Sequence, residues 1–162
     1  MGNFTDSTLK GKTALITGAG GLLGPHHGIG LSCAGAKVVL ADIDFKGLES
    51  AKNKILEFNS KADVEIVILD ITDLDAVQRF DKIYSSKNKY IDILVNNAAL
   101  NPKMKEISGN VAGKIEDYDM DQWKKEIDVG ITGSFICSRV FGARMANERS
   151  GVIINISSDL AI

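Results

Sequence analysis

The stretch Thr17 to Gly24, TGAGGLLG, spaces three glycines three residues apart, at 18, 21 and 24, directly after a short apolar run. Glycine does chemistry here by what it leaves out. Gly18 permits a sharp turn, and Gly21 and Gly24 carry no side chain where a pyrophosphate would approach the backbone. A helix starting from this loop would add free N–H groups and the positive end of its dipole. Pro25 suits a first helical position, where its missing N–H costs nothing. A glycine loop alone is equally an ordinary tight turn, and context separates the two readings. A strand precedes this loop, a helical stretch follows it, and the next apolar run ends in Asp42, 24 residues after Gly18. That aspartate is placed to accept hydrogen bonds from ribose hydroxyls. The GIG segment at Gly28 to Gly30 falls inside the helix and reads as close helix–sheet packing. His26 and His27 stand side by side without further ligands at recognisable spacing, so no metal site is expected. Either could still face a pyrophosphate from the first helical turn.

The elements that must hold such a loop are legible as apolar runs. KTALIT (12–17), AKVVLAD (36–42), DVEIVILD (63–70), IDILVNN (91–97) and GVIINIS (151–157) are short, β-branched and nearly continuous in hydrophobicity. Strands covered on both faces have this character, which favours a parallel sheet. Between them, Leu48, Ala51, Ile55 and Phe58 recur at helical spacing. So do Leu74, Val77, Phe80 and Tyr84, and also Trp123, Ile127, Ile131 and Phe135. Each set predicts one apolar helix face turned to the sheet. Thr72 or Asp73 can cap the second of these helices, and Asp119 or Asp121 the third. The order β-α-β-α-β-α-β-α-β predicts an α/β fold, a doubly wound parallel sheet of about five strands. The irregular stretch from Leu100 to Tyr118, with Pro102, Gly109 and Gly113, follows the fourth strand. It therefore belongs to the carboxyl edge, where such sheets bind ligands.

The 162 residues suit one domain, with 44% hydrophobic and 25% charged residues and a net charge of -2. No basic field exists to draw in nucleic acid or an acidic membrane, and no apolar run is long enough to span a bilayer. The start, MGNFTDSTLKGK, has neither the apolar core of a signal peptide nor the pattern for myristoylation. Cys33 and Cys137 lie far apart in helix-like segments, so two buried, reduced thiols and a cytoplasmic location are expected.

Four segments in order, from Lys12 to Ile162, resemble the short-chain dehydrogenases/reductases, which are Rossmann-fold enzymes using nicotinamide cofactors. TGAGGLLG looks like their glycine loop, in the spacing more usual for the extended, sugar-nucleotide branch. LVNNAA (94–99) resembles the Asn-Asn-Ala-Gly segment of the shorter branch. ILDITD (68–73) resembles the segment whose aspartate, here Asp70, meets the adenine amino group. VIINISS (152–158) resembles the strand leading to the catalytic serine, here Ser158. The resemblance implies a nicotinamide cofactor, and Asp42 followed by Ile43 rather than arginine points to NAD; the residues expected to hold it are Gly18, Gly21, Leu22, Leu23, Gly24, Asp42, Ile43, Asp70, Ile71, Asn97, Ala98 and Ala99. It implies hydride transfer between nicotinamide and a small hydroxyl or carbonyl substrate, with bacterial surface-sugar biosynthesis as one setting. Members commonly pair through two long helices, so a homo-oligomer is implied.

Two departures from the family pattern stand out. Where the family carries V-N-x-x-G, whose asparagine seats a water in a proton relay, this chain has VGITG with Gly130. The family's general acid is a tyrosine followed four residues later by lysine. Tyr84, Tyr90 and Tyr118 are followed at that spacing by Asn88, Leu94 and Gln122, so none fits. Family chains run to about 250 residues, an ordinary size for one such domain. The expectation is a single NAD(P)-binding domain over residues 1–162, the N-terminal two thirds of an oxidoreductase, inactive alone. The alternative is a catalytically dead nucleotide-binding or interaction protein that adds a partner strand to an open sheet edge.

Overall fold

The computed structural model describes residues 7–87, 89–100, 116 and 118–157. Five parallel strands form one sheet in the order β3-β2-β1-β4-β5. They are β1 (Thr13–Thr17), β2 (Lys37–Asp42), β3 (Val64–Ile68), β4 (Ile93–Asn96) and β5 (Val152–Asn155). Each sits a residue or more inside its apolar run, because the run continues into residues that pack without joining the ladder.

Helices cover both faces, as the two-sided apolar strands require. On one face, α1 (Gly24–Cys33) and α2 (Phe45–Phe58) pack on Ala14, Ile16, Val38 and Leu40. On the other, α3 (Leu74–Ser86) and α5 (Ser134–Asn147) pack on Leu15, Val39 and Leu94. Successive residues of β1 feed opposite layers, so one strand serves both cores. Asp44, Asp73 and Asp119 cap α2, α3 and α4 (Met120–Ile127), each accepting from backbone N–H groups of the first turn.

The third apolar stripe behaves differently from its periodicity. Trp123, Ile131 and Phe135 are exposed, and the face turned to the sheet is Ile136, Cys137, Phe141 and Met145. The cause is a change of helical phase. Between α4 and α5 the segment Asp128–Gly133 winds as a π-helix, whose wider turn rotates every later side chain relative to an α-helical count. Two glycines in those six residues, Gly130 and Gly133, ease that departure. Phe58 is also exposed, at the last residue of α2, where the chain leaves the sheet.

The two sheet edges differ. At β3, Glu65 lies 3.0 Å from both Lys37 and Lys89. Burial alone would raise the Glu65 carboxyl, but the two lysines outweigh it and hold it below its ordinary range. At β5 every strand residue is exposed, including Val152, Ile153 and Ile154. Natural edges avoid a bare apolar row of this kind. A polypeptide of these 162 residues alone is therefore expected to self-associate through β5. Ile154, 42% exposed, can take a charge without disturbing the core. Ile154→Lys should reduce the weight-average mass in light scattering while changing stability by no more than about 0.5 kcal/mol. A wild-type chain that stays monodisperse and monomeric at high concentration would contradict this.

Candidate nucleotide site

The carboxyl ends of β1, β2 and β4 meet at the glycine loop, and hydrogen bonds pin them there. Thr17 Oγ1 accepts from the backbone N–H of Asn97 at 3.1 Å and of Ala98 at 3.2 Å. Asn97 Nδ2 donates back to the carbonyls of Thr17 at 2.9 Å and Gly18 at 3.1 Å. These four bonds fix the loop against the exit of β4, so Asn97 braces the site as well as lining it. The next strand supplies the other brace. Asp42 Oδ2 accepts from the Gly20 N–H at 2.9 Å, and its Oδ1 accepts from the Asp44 N–H at 3.0 Å. A carboxylate offers about four acceptor positions, so two remain for an incoming hydroxyl.

Backbone contact explains two of the three spaced glycines. Gly18 has φ +61, and a Cβ there would come 2.5 Å from Ala98 Cα. A Cβ on Gly24 would meet the Ala19 carbonyl oxygen at 2.3 Å. Gly21 instead has only the Gly18 carbonyl nearby, at 3.3 Å, and faces the cleft. Helix α1 then begins at Gly24 with Pro25 in its first turn and no side-chain cap at Leu23. Where α2, α3 and α4 use aspartates, here the Leu23 carbonyl accepts from the N–H groups of His26 and His27.

The cleft enclosed by these elements has a volume of about 450 Å³. Its lining includes every residue expected to hold a cofactor except Gly24: Gly18, Gly21, Leu22, Leu23, Asp42, Ile43, Asp70, Ile71, Asn97, Ala98 and Ala99. Gly24 is buried beneath the loop, in the first helical turn. Leu69, Thr72, Leu100 and Val129 also line it and were not anticipated. The first three flank expected residues, and Val129, from the π-helical segment, opens the VGITG stretch that the sequence marked for Gly130 alone. Asp70 holds its own turn, with Oδ1 accepting from Thr72 N–H at 2.9 Å and Thr72 Oγ1 at 2.7 Å. Leu22 and Ile43 are 86% and 69% exposed, an apolar pair on the rim of the cleft.

Other sequence readings separate here. His26 is exposed on a different cavity, beside Ile29, Cys33 and Phe58, and His27 is half-buried; neither lines the nucleotide cleft. Among the described residues there is no cluster able to hold a metal ion. Gly28 packs tightly, since a Cβ would reach Ile55 Cδ1 at 2.3 Å, but Gly30 has open space and is not a packing glycine. Cys137 is buried, which pushes its thiol up to about 12, and Cys33 is only half-buried. Ser158 and the loop carrying Pro102, Gly109 and Gly113 lie outside the described residues. Leading toward Ser158, β5 ends in Asn155, whose Oδ1 accepts from Asn96 Nδ2 at 2.8 Å. Asn96 is buried and also donates to Ser138 Oγ at 3.0 Å.

Residues 12–162 match the family model described as short chain dehydrogenase. An uncharacterised oxidoreductase of Staphylococcus aureus strain USA300 is 32% identical over 152 residues, covering 94% of this chain and 60% of its own length. Among solved structures, a metagenomic short-chain oxidoreductase in complex with NADP is 28% identical with a TM-score of 0.79, covering 93% of this chain and 64% of that one. NAD⁺-bound xylitol dehydrogenase is 27% identical with a TM-score of 0.77, covering 93% and 54%. The chain thus spans little more than half the length of the proteins it matches.

Proposed function

Given that the chain belongs to the short-chain dehydrogenase family, we propose that its cleft binds NAD(H) and serves an oxidoreductase acting on a hydroxyl or carbonyl substrate. The supporting observation is the uncapped start of α1 facing a cleft whose floor is bare glycine backbone. A pyrophosphate there would sit at the positive end of the α1 dipole, beside the loop whose Leu22 and Leu23 line the cleft. Asp42 would take the ribose hydroxyls, and the Asp70–Ile71 turn the adenine. When bound, the nicotinamide exchanges a hydride with the substrate carbon. Ser158 is assigned to donate a hydrogen bond to the substrate oxygen. Among the described residues no helix is long and apolar enough to cross a membrane, and two free thiols suit a reducing cytoplasm. The neighbour named for xylitol supports a polyhydroxylated substrate, and surface-sugar biosynthesis is the setting we carry forward.

Isothermal titration with NADH tests the reading directly: saturable 1:1 binding is expected, and no binding would sink it. The same titration tests the choice of NAD over NADP. A 2′-phosphate would meet the Asp42 carboxylate, with Ile43 rather than arginine beside it. Like charges so opposed cost several kcal/mol when partly desolvated. Asp42→Ala should weaken NADH binding and narrow its lead over NADPH. Tighter binding of NADPH by the wild-type chain would reverse the assignment.

A second reading, a nucleotide-binding or interaction protein without turnover, is favoured by the bare β5 edge. Size-exclusion chromatography with candidate partners separates it from the first.

A further inference from the structure

The π-helical segment packs against the wall of the cleft at Gly133. Gly133 is buried, and a Cβ at that position would lie 2.6 Å from Ile71 Cδ1 and 2.7 Å from Ile71 Cγ1. Ile71 is itself 6% exposed, belongs to the core layer under α3 and α5, and forms part of the cleft wall. One turn earlier, Val129 of the same segment lines that cleft. The helix therefore stands directly behind the wall on which the Asp70–Ile71 turn is mounted.

We propose that Gly133 is a positioning residue for nucleotide binding: its missing side chain lets Ile71 sit back from the cleft, and this sets the depth available to the adenine-bearing half of the dinucleotide. The inference rests on the nucleotide-binding reading and deepens it. The physical case is one of direction. A side chain at 133 must push Ile71 away. Ile71 is β-branched and stiff, so it moves with its backbone turn or leaves its rotamer. Ile71 shares one buried cluster with Val77, Leu69 and Ile136, and protein interiors pack at near-crystal density, so an added methyl group is not absorbed freely on that side. The open volume is the cleft, so displacement goes there. By contrast, Gly130 in the same π-helical segment has nothing within 4 Å of a Cβ, so loss of a glycine from this segment does not by itself predict an effect on the wall.

The test titrates NADH and AMP against wild-type chain, Gly133→Ala, Gly130→Ala, Ile71→Ala and the double variant Gly133→Ala/Ile71→Ala, with a thermal melt of each. Gly133→Ala should weaken NADH and AMP alike, by about tenfold, and Gly130→Ala should leave both within about twofold. In the Ile71→Ala background, which removes both atoms that a Cβ would strike, Gly133→Ala should have no further effect on affinity. Equal weakening in both backgrounds would assign the effect to general helix disturbance and overturn the proposal, as would unaltered affinity in Gly133→Ala. If Gly133→Ala does not fold, Ile71→Val and Gly133→Ala/Ile71→Val carry the test: valine removes Cδ1 but keeps a γ-carbon that a Cβ would still strike, so AMP binding undiminished in the double variant relative to Ile71→Val would overturn it too. Failure of the wild-type chain to bind either ligand would instead mark the failure of the nucleotide-binding reading.

Discussion

Replacement of Gly18 by alanine is expected to abolish measurable NADH binding and to lower the melting temperature. Gly18 holds φ +61, where a side chain costs about 1–3 kcal/mol. The added Cβ would also stand 2.5 Å from the backbone of Ala98, which cannot rotate away. Relief requires the loop and the β4 exit to part, and the bonds from Asn97 Nδ2 to Thr17 and Gly18 cross that gap. A loss of about 2–4 kcal/mol follows, and for a chain of this size each kcal/mol shifts the melting temperature by roughly 2–4 °C. Affinity should fall at least ~100-fold, since the phosphate cradle itself is displaced. Gly30→Ala is the internal control: it has open space, and alanine inside a helix stabilises by about 0.5–1 kcal/mol. Circular dichroism melts and fluorescence titration read both quantities. Near-native affinity in Gly18→Ala would mean that the nucleotide does not sit on this loop.

The 162-residue polypeptide is expected to bind NADH yet show no NAD-linked turnover on alcohols, ketones or nucleotide sugars. No tyrosine in it is followed four residues on by lysine, and Gly130 stands where the resemblance implies a relay asparagine. Unperturbed tyrosine titrates near 10, so it needs a cationic neighbour to act near neutral pH. General acid–base catalysis contributes about 10²–10⁴-fold, and loss of ribose positioning adds to the deficit. Fusing the Tyr-x-x-x-Lys segment of a family member after Ile162 should restore activity. Loss of that activity in Ser158→Ala would then place the serine at the reacting oxygen. A steady absorbance change at 340 nm from the unfused chain, abolished by Ser158→Ala, would show that the proton comes from elsewhere.

The sheet and its helices were legible because the strands are written for burial on both faces, which leaves few architectures. All five apolar runs became strands, and of the alternatives read as caps Asp73 rather than Thr72, and Asp119 rather than Asp121, does the capping. The cleft was legible for a different reason: glycines with special backbone needs and polar residues at strand ends are rare enough to stand out. What failed was the stripe Trp123, Ile127, Ile131, Phe135. Periodicity assumes a constant angle per residue, and the π-helical turn at 128–133 breaks that assumption in the middle of the count. Val129 and Gly133 were missed with it. The braces at Thr17, Asn97 and Asp42 were half visible: residue type marked them as ligand contacts, but their hydrogen bonds to the loop are long-range and follow from strand order alone.

Ile93, Leu94 and Val95 are all buried, so hydrophobicity alone does not tell β4 which way its side chains should face. A strand apolar on both sides can slip by one position against its neighbours and still bury oil on oil. Asn96, its last residue, and Asn97 directly after it remove that freedom. Neighbours on a strand point to opposite faces. Asn97 reaches β1 and the glycine loop, while Asn96 reaches Ser138 and Asn155. A one-residue slip would send each amide to the wrong side and strand polar groups in two hydrophobic layers together. The Asn-Asn pair thus acts against misthreading of the sheet, and the same error would dismantle the glycine loop, so a chain that folds wrongly here cannot keep its cleft.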